Sequence, residues 1–102
     1  MTSLAEILAQ DRRCVVLRAL QEDHDYSLNE DTLRSVLASF GHGVIKRDLI
    51  RADLAWLEEQ RLLRVEKLAA ASGELWIATL TADGAAVAQG APHPGVARPQ
   101  PR

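Results

Sequence analysis

The sequence predicts a single α+β domain that is mostly helical. Residues 4–22, 30–40 and 45–60 place their apolar side chains at the spacing of an α-helix. Two further apolar stretches, at residues 61–68 and 74–80, are separated by small residues and indicate a β-hairpin. All four prolines follow Gly90, so we expect a folded domain over residues 1–90 and an extended Pro-rich tail, outside the core, over residues 91–102.

The composition indicates a globular cytoplasmic protein. Of the 102 residues, 47% are hydrophobic and 25% are charged, which suffices for a core without disulfides. The single cysteine, Cys14, cannot form an internal disulfide and favours a reducing compartment. The apolar runs are far shorter than the ~20 residues of a membrane span, and the N-terminus does not resemble a signal peptide, so no membrane association is expected.

The charge is unevenly distributed along the chain. The net charge of −2 excludes a broadly cationic nucleic-acid binder. Residues 1–31 carry three basic and seven acidic side chains, a net charge of −4. Residues 32–67 carry seven basic and five acidic side chains, a net charge of +2, so a locally basic surface is possible in the middle of the chain.

The first helix is predicted from Leu4 to about Glu22. It follows Ser3-Leu4-Ala5-Glu6, which has the spacing of a capping box. Its apolar residues fall on two sides, so the helix either is buried on most sides of its own domain or meets another chain. On the second interpretation we expect a homodimer, through this helix alone or with the last helix. The predicted interface residues are Leu4, Ile7, Leu8 and Cys14.

The second helix is predicted from about Glu30 to Phe40. Asn29 is a good N-cap, and Ser27-x-x-Glu30 is a rival capping box. Gly41 stands where a left-handed residue ends a helix, so residues 41–43 form a tight turn. The third helix then runs from Val44 or Ile45 to Gln60, and its first residue is open because no Ser, Thr or Asp caps it.

The last elements are a hairpin and a short helix. The hairpin joins residues 61–68 and 74–80 through residues 69–73, and Thr81 is the predicted N-cap of a helix that ends at Gly90. The predicted core comprises Leu33, Leu37, Phe40, Leu49, Ile50, Leu54, Leu57, Val65, Ile77 and Leu80.

The order of these elements matches the winged helix-turn-helix fold, and two motifs support the match over residues 4–90. Leu80-Thr81-Ala82-Asp83-Gly84 resembles the L-T-x-x-G element with which small bacterial winged-helix regulators leave their wing hairpin. Residues 53–63 resemble their L-x-x-L-x-x-x-G-L-[IVL] helix end, with Arg61 where Gly is common.

The chain is also similar to a family of small winged-helix proteins of Mu-like prophages that are labelled as arsenic-repressor-type regulators. The similarity lies in residues 41–44, 47–48, 56–60 and 94–99. It implies a phage-associated regulator of transcription that binds DNA. Metal-sensing regulators of the arsenic-repressor type carry paired cysteines, which this chain lacks.

Catalysis and metal binding are not indicated by the sequence. The three histidines are scattered, Cys14 stands alone, and we expect no metal and no cofactor. We find no pairing of a nucleophile with a base and no glycine-rich phosphate loop after a strand, so we do not expect an enzyme.

The third helix carries the best functional signal. In helix-turn-helix proteins the N-terminal half of this helix enters the major groove of double-stranded DNA. The predicted DNA-binding residues are Lys46, Arg47 and Arg51 on this helix, Arg64 and Lys67 on the first hairpin strand, and His42. We expect Arg47 and Arg51 to contribute nothing to folding. His42 either contacts a phosphate or has a local capping role in its loop. Asp48 and a hairpin loop without cations oppose DNA binding. The alternative function is therefore a winged-helix module that binds protein and not DNA.

Overall fold

The computed structural model describes residues 2–99. This part of the chain contains helices and three strands that form one small sheet. The order is α1 (Leu4–Glu22), β1 (Ser27–Asn29), α2 (Glu30–Leu37), a π-helical turn (Ala38–His42), α3 (Arg47–Glu59), β2 (Leu63–Ala70), β3 (Gly73–Leu80) and α4 (Ala82–Ala88). The predicted class, a mixed α+β domain that is mostly helical, is confirmed.

Side-chain caps fix the start of three helices. The Ser3 hydroxyl accepts a hydrogen bond from the Glu6 amide at 3.1 Å, and the Thr81 hydroxyl accepts one from the Gly84 amide at 3.0 Å. Asn29 caps α2, whereas its rival Ser27 lies in β1. Helix α3 begins at Arg47, two or three residues after the predicted start, and, as expected from the sequence, no side chain caps it.

The sheet has a third strand that the sequence analysis did not predict. Its order is β1-β3-β2, with both neighbours of β3 antiparallel to it. Strand β1 has three residues, and Ser27 in it pairs with Thr79, whose hydroxyl lies 3.0 Å from that of Ser27. Three residues are too few to display an alternating pattern, so the prediction of a two-stranded sheet was wrong.

The hairpin has a shorter loop than predicted, and β2 begins two residues later than expected, at Leu63. Pairing of β2 with β3 extends from Leu63 and Leu80 to Ala70 and Gly73, which leaves two residues in the loop where five were expected. At the start of β2, Arg61 has a φ of 63°, the left-handed conformation that glycine adopts readily. Arg61 therefore adopts the backbone conformation that a glycine at this position of the motif would adopt readily.

Helix α2 ends earlier than predicted, and this moves Phe40 to the surface. After Leu37 the chain widens into the π-helical turn, in which Phe40 has a φ of −95° and a ψ of 17°. Gly41 has a φ of 91°, the left-handed conformation expected at the end of this helix, so the backbone leaves the helix at Phe40 and its ring does not continue the apolar stripe. Leu33 and Leu37 are fully buried, whereas Phe40 is 64% exposed, so its assignment to the core was wrong.

We therefore expect the Phe40→Ala variant to lose about 1 kcal/mol or less of its free energy of unfolding, because an exposed ring contributes little burial. Urea denaturation followed by circular dichroism measures the change. A loss of about 3 kcal/mol would show that Phe40 is buried in the folded protein.

The core joins α1 to the later helices and the sheet. The predictions for Leu33, Leu37, Ile50, Leu54, Leu57 and Leu80 are confirmed. Val65 and Ile77 are half-buried, and Leu49 is 38% exposed, so its place in the core was wrong. Helix α1 adds three fully buried residues that the prediction omitted, Val16, Leu17 and Leu20.

Residues 93–97 form a C-terminal strap across α1 and α3. Val96 is 6% exposed and belongs to the core, and the Ala97 amide donates to the Gln10 carbonyl at 3.1 Å. The carbonyl of Gly95 accepts from Arg13 at 2.9 Å, and the Arg13 guanidinium stacks 3.9 Å from the Trp56 ring centroid. The expectation that the tail lies outside the core is wrong for Val96, while residues 100–102 lie outside the described part.

Deletion of residues 91–102 should lower the free energy of unfolding by about 2–3 kcal/mol, because it uncovers the pocket of Val96 and the face of Trp56. Chemical denaturation of the chain that ends at residue 90 measures this. An unchanged midpoint would show that the strap contributes no stability. The domain boundary at residue 90 stays a prediction.

Candidate nucleic-acid interface

The predicted DNA-binding cations lie at the start of α3 and along β2. Lys46, Arg47 and Asp48 are exposed at the N-terminal end of α3, and Arg51 follows one turn later and is half-buried. Arg64 and Lys67 are exposed on β2. Arg47 and Arg51 share a contact that the sequence did not predict, because both point to the carboxylate of Glu30 on α2.

Glu30 is the centre of a buried ionic cluster, which we call the Glu30 cluster and which comprises Glu30, Arg47, Arg51 and the backbone of Trp76. Glu30 is fully buried. Arg51 donates to both of its carboxylate oxygens, from Nε to Oε1 at 2.8 Å and from Nη2 to Oε2 at 3.0 Å. Arg47 Nη1 lies 2.9 Å from Oε1, and the Trp76 amide donates to Oε2 at 2.7 Å. The cluster thus joins α2, α3 and β3.

The cluster keeps Glu30 ionised. Burial by itself would raise the pKa of Glu30, but hydrogen bonds from Arg51, the Trp76 amide and Arg47 outweigh it and lower the pKa from 4.5 to about 2. The same carboxylate raises the pKa of Arg51. A buried charge of this kind is tolerated only when it is paired and hydrogen-bonded, as it is here.

Arg51 is a structural residue as well as a candidate binding residue. Its Nη2 also donates to the Glu74 carbonyl at 3.0 Å, and its guanidinium lies 4.9 Å from the Trp76 ring centroid. These contacts hold α3 against the hairpin. The expectation that Arg51 contributes nothing to folding is therefore wrong, since its removal leaves the Glu30 carboxylate without its bidentate partner.

Arg47 is bound less completely than Arg51. Its second nitrogen, Nη2, lies 3.1 Å from Asp31 Oδ1, and the same oxygen accepts from Arg34 Nη1 at 3.2 Å. The Arg47 side chain remains 43% exposed, and that of Asp31 is 53% exposed. Arg47 therefore contributes to the Glu30 cluster, in conflict with its expected independence of folding, and still presents part of its guanidinium to solvent.

His42 connects the turn before α3 to the first helix. Its Nε2 lies 2.6 Å from Asp11 Oδ2, and the side chain is only 8% exposed. So little of the ring reaches solvent that contact with a phosphate would require the ring to leave Asp11. A structural role for His42 agrees with this geometry, but the contact joins it to α1, 31 residues away, and is not the local capping expected from the sequence.

The hairpin supplies two further cations near α3. The Lys67 ammonium lies 4.5 Å from the centroid of the Trp76 ring, on a strand next to the Glu30 cluster. Within residues 2–99 Lys46 and Arg64 form no side-chain ion pair, so their charges face solvent uncompensated.

The predicted homodimer contacts on α1 divide into two groups. Leu4, Ile7 and Leu8 are 71%, 52% and 42% exposed, and their spacing places them on one face of α1. Cys14 is 5% exposed inside its own domain, so its assignment to an interface was wrong. Burial raises the pKa of the Cys14 thiol, which makes it a weakly reactive core residue.

One group of potential metal ligands comes together within residues 2–99. Asp23, His24 and Asp25 lie in the turn after α1. The Asp23 carboxylate already accepts hydrogen bonds from the Asp25 and Ser27 amides at 3.0 and 3.2 Å, which gives it a structural role in the turn.

Sequence reasoning missed Glu30 as the residue that organises the site. Its sequence position indicated only a capping role, and its partners are 17 to 46 residues away along the chain. The available signal was an acidic residue at the first position of α2 together with two arginines four residues apart at the start of α3.

Comparison with known proteins places the chain in a phage-related family. It is 43% identical over 98 residues to the uncharacterized protein gp26 of Escherichia phage Mu, and the match covers 95% of this chain and 96% of that protein. An uncharacterized protein of Haemophilus influenzae is 48% identical over 66 residues, which is 65% of this chain and 63% of that protein. The chain belongs to the family of phage Mu gp26.

The sequence matches no protein-family model. None of the helices within residues 2–99 combines the length and the apolar character that a bilayer crossing requires.

Proposed function

We propose that this protein is a cytoplasmic winged helix-turn-helix protein that binds double-stranded DNA and regulates transcription for a phage or prophage. In this proposal α2 and α3 form the helix-turn-helix and the β2–β3 hairpin forms the wing. The observation that carries it is the solvent-exposed N-terminal end of α3, where Lys46 and part of the Arg47 guanidinium reach solvent, together with the exposed Arg64 and Lys67 on β2.

The Glu30 cluster gives this surface a fixed geometry. In helix-turn-helix proteins the N-terminal half of the second motif helix enters the major groove, while cations elsewhere contact phosphates. The cluster joins α3 to α2 and to β3, and β3 pairs with β2. Lys46 at the start of α3 and Arg64 on β2 are therefore held at a fixed separation. A preorganised surface of this kind avoids part of the entropic cost of binding.

The proposal assigns three roles to these cations. Lys46 and Arg64 bind phosphates, because neither is neutralised by a carboxylate within residues 2–99. Arg47 exchanges the exposed Asp31 carboxylate for a phosphate or a guanine edge while it keeps its contact with Glu30. Arg51 acts through Glu30 and positions α3.

Titration of a random-sequence duplex at about 50 and 200 mM salt tests the proposal. Released counterions scale with the neutralised phosphates, so the logarithm of the binding constant should fall steeply with the logarithm of salt concentration. Lys46→Ala should reduce that slope by about one unit and weaken binding equally for all sequences. The matched control is Arg98→Ala, which removes an exposed charge from the other end of the chain.

The control variant should bind like the wild-type protein, because Arg98 is exposed and follows the strap, which packs on Trp56 in the C-terminal half of α3 and not on the N-terminal end. Two outcomes contradict the proposal: no measurable binding by the wild-type protein at 50 mM salt, or equal slopes for the wild-type protein and the Lys46→Ala variant. The second outcome would locate any binding elsewhere on the surface.

A second candidate function is a winged-helix module that binds protein. The observation that favours it is the exposed apolar face of α1, because Leu4, Ile7 and Leu8 would be covered by a partner, in the simplest case a second copy of this chain. A homodimer is compatible with both functions. Sedimentation of the Leu4→Glu, Leu8→Glu variant should show a folded monomer, whereas a wild-type protein that is already monomeric at tens of micromolar contradicts the homodimer.

A further inference from the structure

Two exposed apolar side chains, Val44 and Leu49, lie on either side of Lys46 in the sequence at the start of α3. Val44 is 91% exposed, the largest exposure among the large hydrophobic residues in residues 2–99. Leu49 is 38% exposed, although its spacing had predicted a core position. Lys46 lies between them in sequence and is itself exposed.

Neither side chain is explained by the packing of the domain. Ile45 and Ile50, the neighbours of Val44 and Leu49, are 6% and 0% exposed and hold this segment to the core. The core therefore has its own anchors here. An exposed valine contributes little to the stability of the domain, so the Val44 side chain is available for contact with a ligand.

Two cations and one anion, Lys46, Arg47 and Asp48, lie between Val44 and Leu49, and this positive balance favours a polyanion as that ligand. Lys46 forms no ion pair within residues 2–99, and the Arg47 side chain beside it is 43% exposed. In the major groove of DNA, thymine presents an exposed C5-methyl group, which is the apolar contact that a base edge offers to an aliphatic side chain.

We propose that Val44 and Leu49 contact thymine C5-methyl groups in the major groove, so that the protein prefers sites with thymine opposite the start of α3. This inference rests on the proposed function. Lys46 and Arg47 then bind the flanking phosphates and hold the two apolar side chains against the base edges. The guanine contacts expected from arginine become secondary, because both arginines are committed to Glu30.

Replacement of thymine by deoxyuracil tests the inference, because it removes the methyl group and leaves the base pairing and the phosphates unchanged. The probes are two pools of random 20-base-pair duplex, one with thymine and one with deoxyuracil, titrated at the same salt concentration. The wild-type protein should bind the thymine pool about fourfold more tightly for each methyl group contacted, which corresponds to the ~0.8 kcal/mol of one buried methyl-sized group.

Val44→Ser should reduce this preference, and it leaves the fold intact because the side chain is almost fully exposed. Val44→Ile is the matched control that keeps an apolar side chain, so it should retain the preference. Equal wild-type affinity for the two pools, with a steep salt dependence on both, would overturn the methyl contact and leave DNA binding intact. No affinity for either pool would overturn the proposed function and this inference together.

Discussion

Replacement of Glu30 by alanine is expected to lower the free energy of unfolding by about 3 kcal/mol. The variant leaves Arg51 without its bidentate partner and removes the acceptor of the Trp76 amide. Loss of one member of a buried ion pair costs about 3–5 kcal/mol, and partial exposure of Arg51, at 24%, places the effect at the lower end. Urea denaturation gives the difference.

Glu66→Ala is the matched control, because Glu66 is an exposed acidic residue on the neighbouring strand β2. Its free energy of unfolding should change by about 0.5 kcal/mol or less. If Glu30→Ala changed the free energy of unfolding as little as this control does, the Glu30 cluster would not hold α2, α3 and β3 together in solution.

The stability of the wild-type protein should also depend on this carboxylate as the pH falls. The pKa of Glu30 is about 2 in the folded protein and 4.5 as a free side chain, so its contribution is complete above pH 4.5 and is lost as the pH falls towards 2. The difference corresponds to about 3 kcal/mol. The Glu30→Gln variant should lose correspondingly less stability than the wild-type protein over this range, and identical pH profiles would contradict the assignment.

Gly84→Ala is the second substitution with a large expected effect. A Cβ atom at Gly84 would lie 1.8 Å from the Leu62 carbonyl oxygen and 2.8 Å from Leu80 Cδ1. The first of these atoms belongs to the backbone, so α4 must move away from the start of β2. We expect a loss of about 3 kcal/mol or more, since forced overpacking commonly costs 1–3 kcal/mol and flexible side chains cannot relieve this contact.

Ala86→Ser is the control for this substitution, because Ala86 is exposed on the same helix. Thermal and urea denaturation should show a near-native control and a strongly destabilised or unfolded Gly84→Ala variant. A variant with native stability would mean that α4 does not approach Leu62 as closely as the geometry indicates. The result also bears on the L-T-x-x-G motif, whose glycine this contact explains.

The elements set by local interactions were predictable from the sequence. Ser3, Asn29 and Thr81 cap their helices as expected, because an N-cap bonds an amide two or three residues away and the signal lies within one turn. The class of the fold followed from these helices and from the alternation in the hairpin strands.

The features that depend on distant contacts were not predictable. Val96 lies in a proline-rich stretch, yet it is buried in the core, and the neighbouring Gly95 carbonyl accepts a hydrogen bond from Arg13, which stacks on Trp56. Phe40 continues an apolar stripe, but a π-helical turn redirects it. For the site, the sequence predicted cations at the start of α3 but missed the carboxylate that binds two of them, since only the tertiary fold brings Glu30 to Arg47 and Arg51.

Amide chemical-shift mapping tests most directly the proposal that the N-terminal end of α3 binds double-stranded DNA. Isotope-labelled protein is titrated with a 16-base-pair duplex of mixed sequence at about 50 mM salt. We predict the largest shifts at residues 44–52 and along β2 at residues 64–68, with residues 4–8 of α1 unchanged. Absence of shifts with DNA, or shifts confined to α1 or to the C-terminal strap, would contradict the claim.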